Sequence, residues 1–82
     1  MVNFTFSNHC EEMLIERKIK KEWVIETISN FDKKEIKSDN NMHFYKRILE
    51  NENRVLHVVV NQNIEPEKII TIFFDRKAGR LI

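Results

Sequence analysis

An α+β fold is what the sequence predicts, because the apolar pattern changes once along the 82 residues. Up to about Asp32 apolar residues recur every three or four positions, as on one side of a helix, and from Lys34 they recur every second position, as in strands. A single glycine and a single proline leave little room for long loops. We therefore expect one domain over residues 1–82, with two N-terminal helices packed on a four-stranded antiparallel meander sheet.

The first helix is predicted from about Asn8 to Lys18. Ser7 or Asn8 is a suitable N-cap, and Glu11 and Glu12 then fall in the first turn, where carboxylates favour the helix dipole. The apolar side of this helix has the spacing 0, 3, 4, 7 and consists of Cys10, Met13, Leu14 and Arg17. A second helix begins near Lys20 after a very short connection and ends between Asn30 and Asp32. Its predicted buried stripe is Trp23, Val24, Thr27, Ile28 and Phe31.

Four strands follow, each bounded by turn-forming residues. They are predicted at residues 34–38, 42–49, 54–60 and 68–74. The links between them are short, which favours antiparallel neighbours. Phe4 and Phe6 are interpreted as a short extended lead-in, and residues 75–82 as a basic tail.

Alternation along the last three strands separates two faces of the sheet. One face is apolar and is expected to meet the helices: Met42, Phe44, Ile48, Leu56, Val58, Val60, Ile70, Ile72 and Phe74. The other mixes polar and apolar groups: His43, Tyr45, Arg47, Leu49, Val55, His57, Val59, Ile69, Thr71 and Phe73. The core prediction is that Leu56, Val58, Ile70 and Ile72 are buried and Val59 is less so. The mixed face is either an ordinary solvated face or a functional surface.

Charge and cysteine content restrict the function classes. The net charge is +1, from 14 basic and 13 acidic residues, so binding of nucleic acid would depend on local clusters. Cys10 is the sole cysteine, which excludes an intramolecular disulfide and a cysteine-based zinc site. The residues from Met1 to Phe6 do not resemble a signal peptide, and no apolar run is long enough to span a membrane. We expect a cytoplasmic protein, monomeric or weakly dimeric, without a cofactor.

Several side chains are candidates for chemistry. His57 in mid-strand and His9 at the first helix are possible acid–base groups, although a histidine at a helix start is more often a simple surface residue. Arg17 extends the apolar side of its helix. Its side chain either reaches past that side to the sheet edge or an anion, or lies over the core with its charged end in water. Arg76, Lys77 and Arg80 in the tail are candidate phosphate ligands. The histidines lack the spacing of a metal motif, and His43 is interpreted as a strand-end residue outside the site.

The segments Ser7-Asn8-His9-Cys10, Glu16-Arg17-Lys18-Ile19, Trp23-Val24 and Ile69-Ile70-Thr71-Ile72-Phe73 resemble the motifs of a family of small bacterial and phage proteins, domain of unknown function 4258. The resemblance runs from Phe4 to Phe74. Lys18 stands where the family usually has glycine, so the turn that ends the helix requires another solution. The family is similar to RelE-like and BrnT-like toxins, which implies a RelE-like fold, RNA cleavage, RNA or ribosome binding and an antitoxin partner.

Two functions are therefore weighed. The first is a metal-independent ribonuclease toxin of a toxin–antitoxin system, which cleaves RNA by attack of the 2′-hydroxyl. Its candidate catalytic residues are His9, His57, Tyr45 and Thr71, and its candidate RNA-binding residues are Arg17, Arg47, Arg76, Lys77 and Arg80. The alternative is a non-catalytic protein-interaction module with a contact patch of Phe73, Tyr45 and Leu49.

Overall fold

The structure, a computed structural model, describes residues 4–80 and has the predicted α+β composition. Two helices follow a first short strand, and four further strands come after the helices. The elements are β1 (Phe4–Phe6), α1 (Asn8–Glu16), α2 (Lys21–Ser29), β2 (Lys33–Ile36), β3 (Met42–Ile48), β4 (Arg54–Asn61) and β5 (Glu67–Phe74). Short 3-10 helices at Leu49–Asn51 and Ala78–Arg80 follow β3 and β5.

The sheet has five strands in the order β1-β5-β4-β3-β2, so the prediction of four antiparallel strands was wrong in its detail. Strands β2 to β5 do form the expected antiparallel meander. The lead-in is itself a strand, because β1 pairs in parallel with β5, with Phe4 opposite Glu67 and Phe6 opposite Ile69. β1 has only three residues, which is too short an alternation of apolar and polar residues to predict a strand. Its pairing with β5 lets Phe4 and Phe6 pack against the core.

Both helices pack on one face of the sheet and enclose the main core. Ser7 caps α1 by accepting a hydrogen bond from the Cys10 N–H, and its own hydroxyl donates to the Ile70 carbonyl of β5. One side chain therefore ends a strand pairing and starts a helix. The turn after α1 places Lys18 at φ 54°, the conformation that glycine adopts most readily. Phe31 lies beyond α2, where it is exposed and stacks on Phe44 with ring centroids 5.6 Å apart.

A β-bulge in β5 changes which residues reach the core. Val59 pairs with Thr71 and Val60 with Ile69, so Ile70 is left without a direct partner on β4. Ile69 is consequently fully buried and Ile70 only half-buried, the reverse of the prediction from strict alternation. The prediction for Leu56, Val58 and Ile72 is confirmed, since all three are fully buried. Val59 is also buried, at 5% exposure, because β4 is covered on both faces.

The bulge makes a testable pair of adjacent isoleucines. Ile69→Ala is expected to lower the free energy of unfolding by about 2–4 kcal/mol, because it removes core packing and leaves a cavity. Ile70→Ala should cost less than half as much, since its side chain is already partly in solvent. Urea denaturation of both variants measures the difference. Equal losses, or a larger loss for Ile70→Ala, would contradict the bulge.

Residues 75–80 of the predicted tail fold against the sheet, and Leu81 and Ile82 lie outside the described residues. The Asp75 N–H donates to the Val55 carbonyl at 2.9 Å, which continues the pairing with β4. Ala78 is buried against Tyr45 and Val55, on the face of the sheet away from the helices. The prediction of a tail was wrong for residues 75–80. This segment is held by one buried residue, Ala78, and a single apolar residue gives no periodic pattern from which its burial could be predicted. Within residues 4–80 the structure contains no helix long and apolar enough to cross a membrane.

Candidate functional site

An arginine-lined cleft of about 600 Å³ lies at the end of the sheet where β4 begins and β5 ends. The chain contains five arginines and all of them line this cleft: Arg17, Arg47, Arg54, Arg76 and Arg80. No lysine lines it, and the acidic side chain in its wall is Asp75. We call this site the arginine cleft.

The arginines arrive from four separate parts of the chain. Arg17 is the C-cap of α1 and comes from the helix side of the sheet. Arg47 and Arg54 lie near the adjoining ends of β3 and β4, and Arg76 and Arg80 belong to the ordered segment after β5. Because α1, the β3–β4 connection and the C-terminal segment all meet at one end of the sheet, the fold concentrates positive charge that the net charge of +1 conceals.

Arg47 holds two walls of the cleft together. Its guanidinium donates to the Asn53 carbonyl at 2.9 Å and to the Gly79 carbonyl at 2.8 Å. Arg54 pairs with Glu52 across an exposed 3.6 Å contact. Among the described residues no acidic side chain forms an ion pair with the remaining three: Arg17, Arg76 and Arg80. These guanidinium groups therefore have donors to offer to an anion in the cleft.

Asp75 forms the acidic part of the cleft wall and is held by several donors. Its Oδ1 accepts the backbone N–H groups of Lys77 and Ala78, at 3.0 and 3.1 Å, and its Oδ2 contacts Nδ1 of His57 at 2.9 Å. Burial raises the pKa of Asp75, but the hydrogen bonds from Ala78 and His57 lower it by more, so the net pKa lies below its usual value. The carboxyl group is therefore ionised near neutral pH.

Behind Asp75, on the sheet face away from the helices, two histidines form a hydrogen-bonded chain. Nε2 of His57 lies 2.7 Å from Nδ1 of His43, and Nε2 of His43 lies 3.0 Å from Oδ2 of Asp39. The chain therefore runs Asp39–His43–His57–Asp75, from an exposed turn to the arginine cleft. Both histidines are buried, at 6% and 4% exposure. Burial lowers the pKa of His57, and neighbouring His43 adds to this effect, which outweighs the opposing effect of Asp75.

Two aromatic rings enclose His57. Tyr45 and Phe73 stack on either side of the imidazole, with centroid distances of 4.3 and 4.6 Å, because both pair directly with His57 in the sheet register. Glu35 of β2 and Lys37, just after β2, lie beside Tyr45, and burial raises the pKa of the Tyr45 hydroxyl. These side chains line a second, smaller cleft together with Lys33, Asp75, Lys77 and Ala78.

The structure brings together most of the residues predicted from sequence. Of the candidate RNA-binding residues, Arg17, Arg47, Arg76 and Arg80 line the arginine cleft and Lys77 lines the smaller one. Of the candidate catalytic residues, Tyr45 and His57 are in contact, and Thr71 lies half-buried on the same sheet face, opposite Val59. His9 is exposed on α1, on the other side of the sheet, and does not join them.

Three functional candidates were missed by sequence reasoning: His43, Asp75 and Arg54. The sequence predicts that His43 lies near a strand end, outside the site, yet its ring is hydrogen-bonded directly to the ring of His57. The register places His43 opposite Val59 and thus diagonal to His57, where long side chains still reach one another. A sequence cannot fix that register, since a shift of one residue in the hairpin exchanges the faces. The contact patch proposed for an interaction module does not form, because Tyr45 is buried against His57 and Leu49 lies in the exposed 3-10 helix after β3.

The site offers neither a reactive thiol nor an evident metal centre among the described residues. Cys10 lies on the buried side of α1, and burial raises its pKa to about 11, which keeps the thiol protonated. Within residues 4–80 no group of three or more His, Cys, Asp or Glu side chains is arranged to hold a metal ion.

Comparison with known proteins identifies the family. The family described as Domain of unknown function (DUF4258) matches residues 6–74, most of the chain, and the protein belongs to it. Neither a curated protein nor a solved structure matches the chain. The family assignment made from the motifs is thus confirmed, and the comparisons do not extend it to the RelE-like or BrnT-like toxins.

Proposed function

We propose that this member of the domain of unknown function 4258 family binds RNA in the arginine cleft and cleaves it without a metal ion. The observation that carries the proposal is the segregation of arginine. All five arginines line one cleft at the end of the sheet, whereas no lysine does. A position that only needs a solvated positive charge accepts lysine and arginine equally. Recognition of phosphate favours arginine, because a guanidinium donates two parallel hydrogen bonds to one phosphate.

The shape of the cleft suits a flexible strand. It is open to solvent and is lined by Val55 and Phe74 as well as by the arginines, so a sugar or base edge has an apolar surface to contact. Single-stranded RNA presents both its phosphates and its bases, whereas a duplex hides the bases. We therefore favour single-stranded RNA as the substrate class.

The proposed reaction is transesterification within the RNA. The 2′-hydroxyl oxygen attacks the adjacent phosphorus, its proton passes to a base, and the bond from phosphorus to the 5′-oxygen breaks. The leaving 5′-oxygen takes a proton from solvent water. The products are a 2′,3′-cyclic phosphate and a 5′-hydroxyl. Arginines around the phosphate stabilise the additional negative charge that develops on its oxygens in the transition state.

Asp75 is the best-placed base for that step. It is ionised and it lies in the wall of the cleft among the guanidinium groups. Both ring nitrogens of His57 are engaged with Asp75 and His43, so His57 acts through Asp75 rather than on the substrate. This assignment moves the catalytic role proposed for His57 to its carboxylate partner and retains the histidine as a positioning residue.

The proposal predicts a cleavage reaction that survives removal of divalent ions. Purified protein should cleave a mixed-sequence single-stranded RNA oligonucleotide in EDTA and leave 2′,3′-cyclic phosphate or 3′-phosphate ends, because the nucleophile belongs to the substrate. A DNA oligonucleotide of the same sequence is the matched control: it should bind but remain intact, since it lacks the 2′-hydroxyl. Gel electrophoresis and mass spectrometry of the ends decide the result.

Two failures would have different meanings. If RNA binds but stays intact, with and without ribosomes, the proposed cleavage is refuted, and the proposed binding of RNA phosphates by the arginine cleft remains. An absence of binding to either oligonucleotide at low salt would refute both, and would favour the protein-interaction alternative.

The resemblance of the family to RelE-like toxins extends the proposal to a cellular role, that of the toxin in a toxin–antitoxin system. A ribonuclease of this kind would arrest growth when expressed alone and would be held inactive by an antitoxin. An acidic partner is expected, because the arginine cleft would have to be covered. Co-expression with the adjacent open reading frame should restore growth, and failure of every neighbouring reading frame to do so would argue against an antitoxin.

A further inference from the structure

The chain Asp39–His43–His57–Asp75 has three consecutive hydrogen bonds and only four ring nitrogens. The contacts are 3.0 Å from Asp39 to His43, 2.7 Å between the two rings and 2.9 Å from His57 to Asp75. Each contact requires one proton between its two atoms. Ionised carboxylates accept and do not donate, so all three protons have to reside on imidazole nitrogens.

Counting protons gives the state of the pair. Two neutral imidazoles carry two N–H groups, one fewer than the three contacts need. Two imidazolium rings carry four, which would place two N–H groups against each other across the 2.7 Å contact. Only a pair with three N–H groups satisfies every contact. Transfer of the central proton from one ring to the other preserves all three hydrogen bonds.

We propose that His43 and His57 share a single extra proton, which completes the hydrogen-bonded chain from Asp39 to Asp75. Asp39 and the two histidines are then positioning residues that hold Asp75 in the arginine cleft. The pair then carries one positive charge between two carboxylates. It orients the Asp75 carboxylate, which in turn accepts the N–H groups of Lys77 and Ala78 and so shapes the segment that bears Arg76 and Arg80.

The other groups that face the pair do not alter the count. Tyr45 of β3 and Phe73 of β5 stack on His57, and the neighbouring residues of β4 on this face are Val55 and Val59. The charged groups nearby are Lys33 and Glu35 of β2, Lys37 just after β2 and Lys77 after β5. All four line the smaller cleft around Tyr45. Among the described residues none of these four hydrogen-bonds to a ring nitrogen of the pair.

Acidification is expected to disrupt the hydrogen-bonded chain Asp39–His43–His57–Asp75. Burial lowers the pKa of His57 below its ordinary 6.5, so the folded protein resists a second extra proton that the unfolded chain accepts readily. The free energy of unfolding therefore falls as the pH drops below that value. Once both rings are charged, the central contact is repulsive, and Asp75 loses the geometry that the pair imposes.

Asp39→Asn tests the proton count without altering the arginine cleft. The amide can keep its oxygen on the Asn41 N–H and place its nitrogen at the Oδ2 position, where it donates to Nε2 of His43. The chain would then need only two imidazole protons, and a neutral pair would satisfy it. Asp39 belongs to an exposed turn, so the variant should fold.

Nitrogen-15 NMR of the full chain near neutral pH counts the protonated ring nitrogens directly. The wild-type pair should show three and the Asp39→Asn pair two, while the exposed ring of His9, outside the pair, serves as a reference signal in both spectra. Two or four protonated nitrogens in the wild-type pair would overturn the proposal, whatever the variant shows.

A second arm, which rests on the proposed function, measures binding of the same RNA oligonucleotide from neutral to mildly acidic pH. The affinity for RNA should fall about tenfold as the histidine pair takes its second extra proton. Overall electrostatic attraction alone would have the opposite effect, because charged histidines strengthen the binding of RNA. An affinity that rises with acid would refute the coupling of the pair to the cleft. If the NMR count is three but RNA does not bind at any pH, the proposed function fails and the shared proton stands.

Discussion

Replacing Arg17, Arg76 and Arg80 with glutamine should weaken the binding of single-stranded RNA by about 10³-fold at low salt, since each charge-assisted hydrogen bond to a phosphate contributes roughly 1.5 kcal/mol. These three line the arginine cleft, and among the described residues no acidic side chain forms an ion pair with them. The slope of log affinity against log salt should flatten by about 2, because fewer counterions are released. Fluorescence anisotropy over a range of salt concentrations gives both quantities.

The matched control has the same loss of charge elsewhere on the surface. Lys21, Lys34 and Lys68 are exposed and do not line the arginine cleft, so their joint replacement by glutamine should change affinity only slightly. If the two triple variants lose affinity equally, the protein attracts RNA by overall charge and the cleft is not the binding site. Arg47 is excluded from the test set, because its bonds to Asn53 and Gly79 hold the walls of the cleft.

The fold could be predicted from sequence wherever a periodic pattern was long enough. Strands β3 to β5 and both helices were placed within about two residues of their observed bounds. The errors occurred where the pattern was short or interrupted. β1 has only three residues, and the bulge near Ile70 shifts the alternation of β5 by one position, which exchanges Ile69 and Ile70 between core and partial exposure.

The site could be predicted only in its composition. Arginines near chain segments that converge at one end of the sheet were identifiable as candidate phosphate ligands, and four of them were named. The hydrogen-bonded chain was not identifiable, since it depends on a diagonal contact across β3 and β4 and on a carboxylate from the segment after β5. Periodicity reports which residues are buried, whereas register and turn geometry decide which polar groups meet.

The histidines provide the second large effect, because structure and sequence rank them differently. From sequence, His9 and His57 were the acid–base candidates and His43 lay outside the site. The structure joins His43 to His57 and places His9 on the far side of the sheet. The expected order of importance for RNA cleavage therefore changes to His57 and His43 together, with His9 last.

His43→Gln and His57→Gln should each slow RNA cleavage by about 10²-fold, toward the lower end of the effect of losing an acid–base group, because they act through Asp75 and leave it in place. Both should also change the pH dependence of the rate, which a purely structural loss of stability would not do. His9→Gln should leave rate and pH profile unchanged. Single-turnover kinetics at several pH values, on variants shown to be folded by circular dichroism, measure these effects.

The comparison of His43→Gln with His9→Gln is decisive because the two substitutions are chemically identical. A normal rate and pH profile in His43→Gln would show that the buried chain is only structural and would leave Asp75 acting without it. A slow His9→Gln enzyme would require α1 to contribute to the reaction from the opposite side of the sheet. That outcome is compatible with this fold only if RNA wraps around the end of the sheet past Arg17, the one arginine that reaches the cleft from the helix side.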